Sequence, residues 1–325
     1  MALEEVRKPI MPRKLPPRLQ SYNEMPEWFK DNEYILDHYR PVPSKSFKTN
    51  FKSIFKIHNE TMNIWTHGLL LFPFSIRMVY YFSTYLTVLA VWIKDGQGKE
   101  LELSGRELRN LEANTMNTAM VLGDPSSNFI MAYMYFTLVW MAAGSFSFHT
   151  QMPHSHKIFD RFAVLDYIGV ILMINGGLSS YIFFTSGDAP FSRSIYLSIH
   201  GILSFISIFF LIHPKCSKPE YLKFRTCMFL AVGLSYSVPV SHMLYRRSFV
   251  YAFKHLYLTE FILACSSVMI GAVLYAKRIP EIFWPGKFDL LGSSHNIMHV
   301  FVIICAFLLI YIIESLFLDY SEGLI

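Results

Sequence analysis

Charge is scarce in this chain. Asp, Glu, Lys and Arg make up 16% of its 325 residues, against roughly 25% in a soluble domain. That deficit excludes a disordered chain and argues against an ordinary soluble enzyme. Cysteine is scarce too, with four residues, so a secreted scaffold built on disulfides is ruled out. The first 20 residues carry Arg7, Lys8, Arg13, Lys14 and Arg18 among prolines and lack an apolar h-region, so no cleavable signal peptide is expected. What the chain has in abundance is apolar surface: 53% hydrophobic residues, 29 Phe and 19 Tyr, with a mean hydropathy of +0.32. This is the composition of a polytopic membrane protein.

A bilayer-spanning helix needs about 20 mostly apolar residues. Seven stretches qualify, at about 62–92, 127–149, 160–186, 191–213, 224–244, 253–276 and 296–318. The first is long, carries Arg77, and is expected to tilt or to break near Pro73. The runs are continuous, which excludes the short alternating segments of a β-barrel. The fold class is therefore an all-α seven-helix transmembrane bundle over 61–318, with a Pro- and charge-rich tail at 1–43 and a short tail at 319–325. Between tail and bundle, residues 44–60 read as a basic amphipathic helix. Phe47, Phe51, Ile54 and Phe55 share one face, and Lys45, Lys48, Lys52 and Lys56 take another, a pattern suited to an anionic membrane surface.

The net charge of +5 needs no nucleic acid to explain it. Of the Lys and Arg, 20 fall on the N-terminal side of the predicted bundle and eight on the other. The positive-inside rule then puts the N-terminus in the cytoplasm and the C-terminus outside, opposite to a G-protein-coupled receptor. The one Asn-x-Ser/Thr sequon, at Asn59, falls on the cytoplasmic side, where glycosylation is not expected.

Topology also sorts the 12 histidines. His149 ends the second span, in Ser145-Phe146-Ser147-Phe148-His149. His295 and His299 open the seventh from the same side, and their i, i+4 spacing puts both on one helical face. Asp166 lies about one and a half turns into the third. These groups, with Ser145, fall at one depth near the predicted inner face. Three imidazoles suit a tetrahedral Zn²⁺ with one open position for a water. Asp166 would serve that water as a base or orient a ligand, and Ser145 would hydrogen-bond the water or a substrate oxygen. The bland alternative is that each His is a satisfied polar group holding helices together. His67 reads as packing, with Asn59 or Thr61 capping its helix. His154 and His156 read as solvated, and His200, His242 and His255 map to the outer half. Cys227, Cys265 and Cys305 read as small packing residues, and Cys216 as exposed in a loop. Arg77 would pair with an acid in the bundle or snorkel.

The run His58-Asn59-Glu60-Thr61-Met62-Asn63-Ile64-Trp65-Thr66-His67 resembles the first motif of the progestin and adipoQ receptor family. Ser145-x-x-x-His149 with Asp166-Tyr167-x-Gly169 resembles the second. Arg278-Ile279-Pro280-Glu281, Pro285-Gly286-Lys287-Phe288-Asp289 and Ser294-His295-x-x-x-His299 resemble the third. The resemblance runs from about residue 25 to 318. It implies seven helices with an intracellular N-terminus and, as in adiponectin receptors, a zinc held by His149, His295 and His299, with Asp166 and Ser145 beside the zinc-bound water. It implies membrane lipids as partners, through a likeness to alkaline ceramidases that hydrolyse a ceramide-like substrate. It leaves the ligand open among a protein hormone, a steroid and a lipid, and the zinc open between catalysis and structure. The expected location is the plasma membrane, with an intracellular membrane as the alternative.

Overall fold

The computed structural model describes residues 18–95, 125–213, 216 and 221–325. The segment at about 94–124 that joins the first two predicted spans lies almost wholly outside them. Among the described residues there are eleven α-helices and no β-strand. In chain order they are α1 (Phe47–Ser53), α2 (Thr61–Gly68), α3 (Leu71–Asp95), α4 (Pro125–Gln151), α5 (His156–Thr185), α6 (Pro190–Leu211), α7 (Leu222–Leu234), α8 (Ser237–Arg246), α9 (Phe249–His255), α10 (Leu258–Ala276) and α11 (Ser294–Ser321). They supply seven segments long and apolar enough to cross a membrane, with α2–α3 making the first and α7–α8 the fifth.

Both composite spans break for the same reason. Proline has no N–H to give the carbonyl four residues back. Pro73 sits in the first turn of α3, and the chain breaks at Leu69–Leu70 just before it. Pro239 sits in the first turn of α8, and the break falls at Ser235–Tyr236. The second break is lined with polar partners. Ser235 Oγ lies 3.0 Å from His200 Nδ1, and the Tyr236 hydroxyl lies 3.0 Å from Ser179 Oγ. Asn175 donates to Ser204 Oγ at 2.9 Å and accepts from Tyr133 at 2.5 Å. His200 is thus a satisfied core histidine stacked on Tyr236.

The bundle is organised around α4, α5 and α11. The α4–α5 contact is the most extensive in the fold, and small residues explain it. A Cβ on Gly144 would come within 2.7 Å of Leu165 O and 3.4 Å of Asp166 Cα. One on Gly169 would lie 2.9 Å from Met141 Cα. Only glycine lets the two backbones meet there, as small residues do between membrane helices. Next to these contacts in sequence stand Ser145 and Asp166. Helix α11 packs on α10, α5 and α2 and buries Ala306, Ile312, Ile313 and Leu316 completely.

The segment before α1 is more ordered than its composition predicts. From Arg18 onward it packs on one end of the bundle. Gln20 and Tyr39 exchange backbone hydrogen bonds at 2.8 and 3.0 Å. Met25, Phe29, Ile35 and Tyr39 form a second apolar cluster with Phe148, Met152 and Ala163. Asp289 accepts from the Leu36 and Asp37 amides at 3.0 and 2.9 Å. Polar composition misled because these partners lie more than 100 residues away. The amphipathic helix is also shorter than its pattern predicts. Ser46 caps α1 at Thr49 N, and Ile54 is buried. Phe47, Phe51, Phe55 and Ile57 are exposed, as an interfacial segment requires. Trp65 Nε1 donates to Ile54 O at 2.9 Å and ties that segment to α2.

Three smaller expectations are resolved. Arg77 pairs with Glu314 Oε1 at 3.1 Å, which also accepts from Tyr135 at 2.7 Å. Cys216 is buried, contrary to its expected exposure, and Cys227 and Cys265 face outward, while Cys305 packs in the core. Neither Asn59 nor Thr61 caps α2 through its side chain. Thr61 Oγ1 instead accepts from His58 N at 2.9 Å.

Candidate metal centre

Two helices deliver the three histidines. The end of α4 carries His149, and the first two turns of α11 carry His295 and His299. Their ring centroids form a triangle with sides of 5.0 Å. One nitrogen from each lies within 4.8 Å of the others. His149 and His299 are buried and His295 is half-buried. The spacing read from sequence thus brings the three predicted ligands to one point.

Hydrogen bonds fix which nitrogen two of the rings present. His149 Nδ1 lies 2.7 Å from Glu60 Oε2. A carboxylate accepts, so Nδ1 carries the proton. His149 Nε2 is left buried without a partner. Thr66 Oγ1 donates to Met62 O at 2.8 Å, so it accepts from His299 Nδ1 at 3.0 Å, and His299 Nε2 is the nitrogen left for a ligand. An outer partner on one ring nitrogen and an open lone pair on the other is the arrangement of a metal-binding imidazole. An orphaned buried Nε2 beside two further imidazoles fits Zn²⁺ by donor type and number.

Asp166 and Ser145 sit on the α4–α5 side. Ser145 Oγ is buried with no hydrogen-bond partner. Asp166 is half-buried and lies beside Ser145 and His149. Leu165 beside it is exposed on the outer surface of the bundle. Asp166 and His295 are the half-buried members of the group.

Sequence reasoning missed the supporting residues. Glu60 accepts from Asn63 Nδ2 at 2.8 Å as well as from His149, and Asn296 donates to Asn63 Oδ1 at 2.7 Å. The relay links the α4 ligand to the helix that carries the other two. Burial opposes ionisation of Glu60, yet the hydrogen bonds it accepts from His149 and Asn63 hold its carboxyl well below the usual range. Glu281 is completely buried; it accepts from Ser294 N at 2.7 Å and from Asn32 at 3.0 Å. It places negative charge at the α11 N-terminus, where the helix dipole favours it. Arg40 is buried and donates to His149 O at 2.5 Å, Thr150 O at 2.9 Å and Ser53 Oγ at 3.1 Å. The first two are carbonyls that the end of α4 leaves open. Burial brings Arg40 down to about 10, so it stays charged at neutral pH. The one signal in the sequence was spacing: Glu60, Asn63 and His67 stand at i, i+3 and i+7 and share a helical face. Of the two residues read as solvated, His156 is exposed as expected, with its ring stacked on Trp28, while His154 is half-buried against Phe47.

One prediction follows from Glu60. Loss of an outer partner of a metal-ligating His weakens metal binding by roughly 10–100-fold. Glu60→Ala should weaken zinc by about that factor in a chelator-competition titration. Glu60→Gln, whose amide oxygen still accepts from Nδ1, should weaken it less.

The fold and this centre define a seven-helix integral membrane protein with a histidine triad at one end of the bundle. The chain matches the haemolysin-III-related family over residues 55–310 and belongs to it; this is the family of the progestin and adipoQ receptors. It is similar to an adiponectin receptor protein of Drosophila melanogaster, 32% identical over 286 residues that cover 88% of this chain and 56% of that protein. It is also similar to heptahelical transmembrane protein 3 of Arabidopsis thaliana, 32% identical over 89% of this chain and 84% of the plant protein. A progestin and adipoQ receptor-like protein 1 of Caenorhabditis elegans is 27% identical over 92% of this chain and 61% of its own length. The chain thus spans little more than half the length of the fly protein.

Proposed function

We propose that this chain is a zinc-containing membrane receptor with a lipid-amide hydrolase centre that acts on a ceramide-like lipid. The observation that carries this reading is the convergence of three histidine nitrogens within 4.8 Å, with the half-buried Asp166 and the buried Ser145 hydroxyl alongside. Zinc held by His149, His295 and His299 would supply Lewis acidity toward a carbonyl oxygen and lower the pKa of a water toward about 7. Asp166 takes the proton from the attacking water and returns it to the leaving amine. Ser145 Oγ, with no other partner, hydrogen-bonds the carbonyl oxygen and fixes its direction. Glu60 and Thr66 hold the ligand rings in one tautomer.

With the N-terminus cytoplasmic, as the charge count predicts, the centre lies in the inner leaflet. A lipid then reaches it sideways past Leu165, and the plasma membrane is the proposed location. Signalling in lipid metabolism or hormone response, with a protein or steroid ligand, rests on the names of the relatives. The second reading is a structural zinc that staples α4 to α11 in a non-catalytic receptor; the full burial of two ligands favours it.

Metal content and ceramide turnover of purified protein separate the two. Wild type should hold about one zinc per chain and release sphingoid base. Asp166→Asn should keep the zinc and lose on the order of 100-fold or more in turnover, the range for a removed acid–base group. Zinc without turnover selects the structural reading. Wild type purified without zinc ends both.

A further inference from the structure

His67 is unused by the centre as drawn so far. It is 4% exposed, and both of its ring nitrogens are buried without a hydrogen-bond partner. Its ring stacks on His299 with centroids 4.2 Å apart and planes 18° from parallel. His149 and His295 are close enough to act on it electrostatically. Helix α2 is pressed to α4 just beside it, where a Cβ on Gly68 would lie 2.8 Å from the Phe146 ring.

Stacking excludes His67 as a fourth ligand with His299. Rings that bind one ion converge on it, whereas parallel stacked rings aim their nitrogens along separate planes. Pure packing fails on a different count. A neutral imidazole has one donor and one acceptor, and burying both unpaired is costly. Phenylalanine would fill the same stack without that cost. The remaining use is a polar guest. Ser145 Oγ is likewise unpartnered, so two unclaimed polar groups flank the triad, one on α4 and one on α2.

We propose that His67 is the hydrogen-bonding contact for the polar head of a secondary-amide lipid seated against the histidine triad. The guest's amide N–H donates to the unprotonated ring nitrogen, and the protonated one donates to a headgroup hydroxyl. The class of guest rests on the hydrolase reading above. The contact is a binding one and forms no covalent bond.

The test measures equilibrium binding, independent of turnover. Protein in nanodiscs is titrated with a ceramide and with its ester isostere, in which the amide N–H is replaced by oxygen. Wild type should prefer the amide by about tenfold, the worth of one well-made hydrogen bond at the upper end of the usual range. His67→Phe keeps the ring that stacks on His299, and should keep zinc while binding both lipids about equally. His67→Gln, with a donor and an acceptor, should restore part of the preference. His67→Leu carries the same expectation as His67→Phe should the latter not fold. Wild type that binds no ceramide, or binds amide and ester alike, overturns the proposal. So does a His67→Phe protein that keeps the preference. Wild type that binds and discriminates but never hydrolyses ceramide sinks the hydrolase reading and leaves the contact standing.

Discussion

Replacing His299 by alanine should strip the protein of zinc and lower its melting temperature, the largest effect expected of any single substitution in this chain. Zinc bound to a small structural site contributes about 10–16 kcal/mol. Spread over three ligands, each carries on the order of 4 kcal/mol, or roughly a thousandfold in affinity. His299 should stand at the upper end. It is 2% exposed, held at Nδ1 by Thr66 and stacked on His67. A ligand at 1,000 times its Kd stabilises the native state by about 4.1 kcal/mol. Wild type treated with a chelator should therefore melt near the His299→Ala protein, and added chelator should leave the variant unmoved. Elemental analysis and thermal unfolding in detergent check both points. A variant that keeps one zinc per chain would refute the assignment of His299.

Gly144→Ala should produce the second largest effect. The new methyl carbon would stand 2.7 Å from Leu165 O and 3.1 Å from Leu165 C. Both are backbone atoms of a packed helix and cannot rotate away. Helices α4 and α5 must separate, and overpacking of this kind costs about 1–3 kcal/mol. The same separation moves Asp166 from Ser145 and His149, so turnover should fall more than stability. Gly201 and Gly233 supply the control, because a Cβ at either meets nothing within 4 Å. Gly201→Ala should leave melting temperature and zinc content near wild type. Alanine at either position favours the helix by propensity alone, so equal losses at Gly144 and Gly201 would show that the α4–α5 contact does not set the effect.

Much of this molecule was legible in one dimension. Bilayer thickness fixes the length of an apolar run, so seven spans could be counted before any contact was known. The i, i+4 pair His295 and His299 was equally plain, since helical period alone puts both on one face. Proline chemistry marked the break in the first span to within a turn. The docked segment from Arg18 to Arg40 was not legible. Its partners Glu281, Asp289 and the His149 carbonyl are distant in sequence, and its own composition is that of a loose tail.

The sequence by itself determined that this is a seven-helix membrane protein, and which three histidines and which carboxylate share a depth in it. Depth follows from position along a span, and position is a property of the chain alone. Only the tertiary structure decided which nitrogens face one another and what holds them. Glu60 and Thr66 select the tautomers of His149 and His299, Arg40 closes the end of α4, and Gly144 sets how near Asp166 can come. Each acts through a contact between helices, and no spacing along one helix specifies its rotation against another. That is also why His67 read as packing from the sequence and stands in the fold as an imidazole with two unpaired nitrogens beside the centre.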